Sequence, residues 1–80
     1  MAKGLRKQVK RKLASAHNNL EDACYHLDWL IHIHKDSQPE LAEALECIMQ
    51  NSVQALVMVE QFWETTQGEL PEDWRAQARA

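Results

Sequence analysis

The sequence is poor in residues that interrupt helices and in residues that cross-link small domains. It contains two glycines, two prolines and two cysteines among 80 residues. Two cysteines cannot supply a disulfide framework, and no spacing of cysteine and histidine fits a zinc finger. A chain this short seldom buries enough apolar surface to stabilise a fold alone. Self-association is therefore the expected source of additional stability.

Long apolar runs are also missing. No segment is apolar over the length that a bilayer requires, and the first residues, MAKGLRKQVKRK, lack the apolar core of a signal peptide. We therefore expect a cytoplasmic protein with reduced thiols and no membrane partner.

Apolar and small residues recur in steps of three and four through the second half of the chain. They are Leu41, Leu45, Ile48, Ser52, Ala55, Val59, Phe62 and Thr66. This spacing predicts an amphipathic helix, because a strand would alternate with period two. Other apolar residues on both sides of this seam widen the apolar surface to half of the helix circumference or more. One partner helix cannot cover that much.

The first half of the chain repeats the pattern. Its seam is Val9, Leu13, Ala16, Leu20, Ala23, Leu27, Leu30 and His34. We predict helix 1 over about 5–34, a turn at 35–37 and helix 2 over about 38–67. Ser37 and Glu40 have the spacing of a capping box, and Pro39 is tolerated in a first helical turn.

A third, shorter helix is predicted after helix 2. Gly68 is typical of the left-handed residue that follows a helix end. Leu70 to Trp74, LPEDW, resembles the start of a helix, with proline and acidic residues in its first turn. We expect this helix over about 71–79, anchored through Leu70 and Trp74.

These elements predict an all-α fold for a single domain, residues 1–80. Two long helices joined by a short turn fold back as an antiparallel helical hairpin. Small residues in the middle of both seams leave space that two helices cannot fill. We therefore expect a homodimer that forms a four-helix bundle, in either the parallel or the antiparallel sense.

Charge is distributed unevenly along the chain. Six of the nine basic residues lie in the first twelve positions, whereas all twelve acidic residues come later. On a helix, five of them share one broad face, which we call the basic arm: Lys3, Arg6, Lys7, Lys10 and Arg11. The basic arm could bind the phosphates of a nucleic acid. Alternatively, it is solvated or pairs with the acidic residues Glu60, Glu64, Glu69, Glu72 and Asp73.

A second candidate surface lies on the back of helix 1. Tyr25, Trp29 and Ile33 are four residues apart and fall opposite the seam, next to His26 and His32. We call Tyr25, Trp29, Ile33 and His26 the aromatic patch. It is either a site for another protein or a surface covered by the third helix. In an antiparallel dimer a second copy's third helix is the better candidate for such cover, because the same chain's own tail starts near the level of Leu5.

Catalytic and metal sites have little support in the sequence. One edge of helix 1 carries His17, Glu21, Cys24 and Asp28, which could converge on a metal or form a solvated flank. Glu40, Glu43 and Glu46 resemble the acidic helices of all-α nucleotide pyrophosphohydrolases, but a second acidic pair of the same spacing is missing. No nucleophile, base and acid occur in a catalytic arrangement. We predict no enzyme activity, no cofactor and no metal.

The function expected from the sequence is therefore that of a binding protein. We predict a small non-enzymatic regulatory or adaptor protein, of phage or plasmid type, that binds itself and another protein through helical surfaces. The alternative is a nucleic-acid-binding homodimer that uses the basic arm.

Overall fold

The chain is all-α in the part that the structure describes. The structure is a computed structural model, and it describes the backbone of residues 2–80 and the side chains of residues 4–80. Helix α1 spans Ala2–His34, α2 spans Pro39–Thr66 and α3 spans Trp74–Arg79. The all-α prediction is confirmed. None of these three helices combines the length and the apolar composition needed to cross a membrane.

The turn between α1 and α2 corrects one detail of the sequence analysis. The N-cap of α2 is Gln38, and no side chain caps this end of the helix. Pro39 occupies the first turn, so Ser37 lies one residue too early to act as the cap of a capping box. The backbone N–H of Gln38 instead donates to the carbonyl oxygen of His34 at 2.8 Å, which closes the turn.

The end of α2 is set by Gly68. This glycine has a φ of 103°, the left-handed conformation expected after a helix. The N–H groups of Gln67 and Gly68 both donate to the carbonyl oxygen of Trp63. These bonds satisfy a backbone acceptor that the last helical turn would otherwise leave free.

Helix α3 begins later than the sequence pattern suggests. Its N-cap is Asp73, whose carboxylate accepts from the N–H groups of Arg75 and Ala76 at 3.0 and 3.1 Å. Pro71 therefore lies in the preceding loop and not in the first turn. A capping carboxylate fixes this helix start because it satisfies two N–H groups at the positive end of the helix dipole.

The interior of the single chain is small. Helix α1 packs against both α2 and α3. Among residues 4–80, the fully buried apolar side chains are Ala14, Ala42 and Trp63, and the buried polar ones are His17 and Asn18. Two alanines and one indole are much less apolar volume than a domain of this size normally buries.

Burial on α2 is rotated from the predicted seam. The buried and half-buried positions include Ala42, Leu45, Met49, Ser52, Leu56, Val59 and Trp63. Leu41, Ile48 and Phe62, which we placed in the seam, are 48, 51 and 52% exposed. Two rows with a spacing of three and four run side by side on this helix, and the single chain covers only one of them.

Candidate functional site

The aromatic patch is exposed in the single chain. Tyr25, Trp29 and Ile33 retain 74, 60 and 50% of their accessible surface. Together with Asp28 and His32 they line a shallow depression on the back of α1. His26, also exposed, meets Tyr25 edge to face, with 5.9 Å between ring centroids. The patch is thus a continuous apolar surface with polar groups at its rim.

Helix α3 lies beside the aromatic patch and does not cover it. The side-chain amide of Asn18 donates to the carbonyl oxygen of Trp74 at 3.1 Å. One turn further along α1, Asp22 accepts from the guanidinium of Arg75 at 2.6 Å. The chain's own third helix therefore lies further along the chain than the level of Leu5 and binds the part of α1 that precedes Tyr25.

The Asp22–Arg75 pair is exposed on both sides. The hydrogen bond from Arg75 lowers the pKa of the Asp22 carboxyl below its ordinary 3.8, and the same bond raises the pKa of the guanidinium. Exposed pairs of this kind contribute little net stability, because water competes for both charges. The pair adds a second contact between α3 and α1, one turn beyond Asn18.

The most buried side chain of the cluster around α3 is His17, which is 2% exposed. Its ring stacks on Trp74 with 3.8 Å between centroids and 7° between planes. Its Nε2 lies 2.9 Å from a carboxylate oxygen of Glu60, so the ring nitrogen donates and the oxygen accepts. His17 therefore connects all three helices.

A second ring contact completes this cluster. Trp63 meets Trp74 edge to face, with 5.2 Å between centroids, and its Nε1–H donates to the carbonyl oxygen of Glu69 at 2.7 Å. Trp74 is the expected anchor of α3, whereas Leu70 is 39% exposed. The spacing of His17 predicted a solvated flank or a metal site, and it gave no sign of the contacts with Trp74 and Glu60.

Metal ligands do not converge in the described part of the chain. Among residues 4–80, no group of three or more His, Cys, Asp or Glu side chains is placed to hold an ion. His17 is turned toward Glu60 and Trp74 instead of toward Cys24 and Asp28. Cys24 is half-buried, Cys47 is exposed, and both are free thiols.

Comparison of the chain with protein-family models, with curated proteins and with solved structures gives no match.

The basic arm makes no ion pair in the part of the chain whose side chains are described. The side chains of Arg6, Lys7 and Arg11 are exposed, and that of Lys10 is half-buried. Salt bridges among residues 4–80 join His17 to Glu60 and Arg75 to Asp22, and none involves the arm. The side chain of Lys3 lies outside the described residues. Pairing of the arm with the acidic residues near the end of α2 is therefore not observed.

A further apolar surface, which we call the open face, consists of one row on each long helix. Its members are seven residues apart and none is buried: Val9, Ala16, Ala23 and Leu30 on α1, and Leu41, Ile48, Ala55 and Phe62 on α2. Residues seven apart lie on one side of a helix. Each row therefore places its apolar residues on one side of its helix.

Both rows of the open face point away from α3. Asn18 and Glu60 lie on the α3 side, since Asn18 bonds Trp74 and Glu60 bonds the ring that stacks on Trp74. Residues two apart on a helix point about 160° away from each other. Ala16 and Phe62, each two residues from one of these, therefore face the opposite side of the molecule.

Proposed function

We propose that the chain folds as an antiparallel helical hairpin, that two copies form a four-helix bundle, and that the bundle is a non-enzymatic adaptor or regulatory protein. The short turn at residues 35–38 and the contact between His17 and Glu60 support the hairpin. The proposal includes a cytoplasmic setting, supported by the two free thiols.

The observation that carries the dimer is the imbalance between buried and exposed apolar side chains. Three apolar residues are buried among residues 4–80, whereas eleven large ones are at least 39% exposed. Three of these eleven, Leu41, Ile48 and Phe62, lie in one row of the open face, and monomeric soluble proteins rarely expose large contiguous apolar patches. A second hairpin on the open face would give the chain the core that one copy lacks.

The aromatic patch is the surface that such a bundle leaves for another protein. Trp29 lies two residues from Leu27 and nine from Leu20, both on the predicted seam, so it points to the far side of α1. Large aromatic side chains dominate the energetics of protein interfaces. We therefore assign partner binding to Tyr25, Trp29 and Ile33, with His26 at the rim.

Two measurements test this function. Sedimentation equilibrium at micromolar concentration should show a dimer, and a folded monomer there would contradict the bundle. A photo-reactive residue in place of Tyr25 should cross-link to a second protein in extracts of the native host. The same group in place of Val53, which is 45% exposed on α2, is the matched control. Equal labelling from both positions would count against the patch.

Nucleic-acid binding is a second candidate because the described cations of the basic arm are unpaired. If the arm contacts phosphates, the affinity for duplex RNA or DNA should fall linearly with salt in a log-log plot. Lys7→Glu with Lys10→Glu should then abolish binding. Lys35→Glu with Arg79→Glu reverses two cations elsewhere and should change affinity little. Equal effects of the two pairs would indicate a non-specific charge effect.

A further inference from the structure

The first turns of α1 extend past the end of α2. His17 lies level with Glu60 through their hydrogen bond. In a hairpin both helices rise by about 1.5 Å per residue, so Thr66, the last residue of α2, lies level with Lys7 when counted from the turn and with Arg11 when counted from the His17–Glu60 bond. The residues of α1 before Lys7 therefore have no neighbouring helix in their own hairpin.

This extension has an apolar side without a partner. Leu5, Gln8, Val9, Lys12 and Leu13 line a shallow and almost entirely apolar depression. Leu5 is 64% exposed, although it precedes Val9 by one turn on the same side of the helix. The depression continues the α1 row of the open face beyond the end of α2.

The two ends of the hairpin carry opposite charge. Five described cations lie within a few residues of the end of α2: Arg6, Lys7, Lys10, Arg11 and Lys12. The turn end carries Asp36, Glu40, Glu43 and Glu46 against a single cation, Lys35. The net positive charge at the arm's end is lowered by Glu64, Glu69 and Glu72. None of the described cations of the arm forms an ion pair with them.

We propose that a second copy of this chain covers the open face in the antiparallel sense, so that the first turns of α1 in each copy pack over the turn end of the other. This inference rests on the proposed dimer. A parallel dimer would place the cations of both copies at one end and the acids of both at the other. The antiparallel dimer places the cationic end of each copy beside the acidic end of the other and covers Leu5 and Val9 with the partner's turn end. Lys7 and Glu43 each lie two residues from a member of the open face and point away from it, so the attraction acts between the ends of the bundle and not through ion pairs in the interface.

The α1 row is compatible with antiparallel self-pairing. Under a two-fold axis near the level of Asn19, Val9 of one copy meets Leu30 of the other, and Ala16 meets Ala23. Large residues thus meet at the ends and small residues in the middle, where the helices can approach closely. A two-fold axis requires such a self-complementary surface.

The size of the open side is sufficient for a stable dimer. The fold measures 54 × 21 × 20 Å between Cα extremes. One long side therefore offers an area on the order of 1,000 Å², and each partner of a standard interface buries about 800 Å². A second copy matches this length along its whole extent, whereas a short peptide would leave part of both rows exposed.

Spin labels distinguish the two senses of the dimer. In a Cys24→Ser, Cys47→Ser background, labels at Lys7→Cys should lie about 40 Å apart in an antiparallel dimer and within about 20 Å in a parallel one. In mixed dimers of Lys7→Cys and Ser37→Cys chains, the distance between the two labels should be short for the antiparallel sense and long for the parallel one. A dimer with a short distance between two Lys7 labels would overturn this inference and leave the proposed bundle intact. A folded chain without dimers would overturn the bundle itself.

Charge reversal provides the second measurement. Lys7→Glu with Lys10→Glu, or Glu40→Lys with Glu43→Lys, should each weaken dimerisation about threefold to tenfold at low salt, and the four changes combined should restore it. Additive weakening in the combined variant would contradict the antiparallel pairing. If the lysine changes leave the dimer unaltered but remove binding to duplex RNA, the basic arm binds nucleic acid and its charge does not set the sense of the dimer.

Discussion

The rings of His17 and Trp74 stack almost parallel, 7° between planes and 3.8 Å between centroids, although 57 positions separate them in the sequence. Histidine and tryptophan both present flat faces, so the stack removes apolar ring surface from water on both sides. Glu60 and Trp63 on α2 contact the other side of this pair. The cluster is therefore the point at which the short α3 is attached to the two long helices.

Trp74→Ala should detach α3. The change removes the stack on His17 and the edge contact with Trp63 and should lower the free energy of unfolding by about 2–4 kcal/mol, because the indole is half-buried. Arg79→Ala, at the other end of α3, should change it by less than about 0.5 kcal/mol. Denaturant unfolding at one fixed protein concentration is the measurement, since dimerisation also raises apparent stability. Equal stability of the two variants would show that Trp74 is not an anchor.

The pKa of Asp22 should depend on Arg75. The folded-state pKa of Asp22 is lowered, so the pair adds stability above the unfolded pKa, and this contribution is lost as the pH falls below 3.8. Arg75→Ala should return the pKa of Asp22 toward 3.8, as measured by NMR titration of its carboxyl carbon. Arg79→Ala, the other arginine of α3, should leave that pKa unchanged. A low pKa that persists in Arg75→Ala would point to a different cause.

Much of the fold could be predicted from the periodicity of apolar residues, and each error in that prediction has a physical cause. The all-α class and the left-handed Gly68 follow from local rules that tertiary contacts did not override. The inner side of α2 could not be fixed, because Ala42 and Leu41 belong to two equally good apolar rows. The His17 cluster depends on where α3 docks, and a six-residue helix carries no periodic signal of its own.

The candidate sites also include features that the sequence predicts and features that it does not. The spacing of Tyr25, Trp29 and Ile33 was sufficient to predict their common surface, and the structure leaves all three exposed. Whether a partner binds there cannot be derived from spacing. The inferred extension of α1 beyond α2 needs contacts between the two helices, such as the bond between His17 and Glu60, which spacing alone does not give.

Dimerisation should be sensitive to a charge introduced on the side of α2 that carries the open face, and insensitive to one on the opposite side. Ile48→Glu should weaken dimerisation about 30-fold or more, because it buries a carboxylate in the centre of the proposed interface. Val57→Glu is the matched control, since Val57 is also β-branched, is 44% exposed against 51% for Ile48, and lies nine residues away on the opposite side of the helix. Sedimentation equilibrium compares the two dissociation constants. Similar weakening in both variants would mean that the dimer uses another surface.

Trp29→Ala should separate partner binding from folding. Trp29 is 60% exposed, so its removal should change the free energy of unfolding by less than about 0.5 kcal/mol and leave the dimer intact. Truncation of the chain after Gly68 removes Trp74 and should destabilise the protein as strongly as Trp74→Ala. Iodide should quench the fluorescence of Trp29 and spare that of Trp63, which is 3% exposed. Each signal is measured in a variant whose other two tryptophans are replaced by phenylalanine. Loss of the dimer in Trp29→Ala would place Trp29 inside the assembly and remove the aromatic patch as a site for another protein.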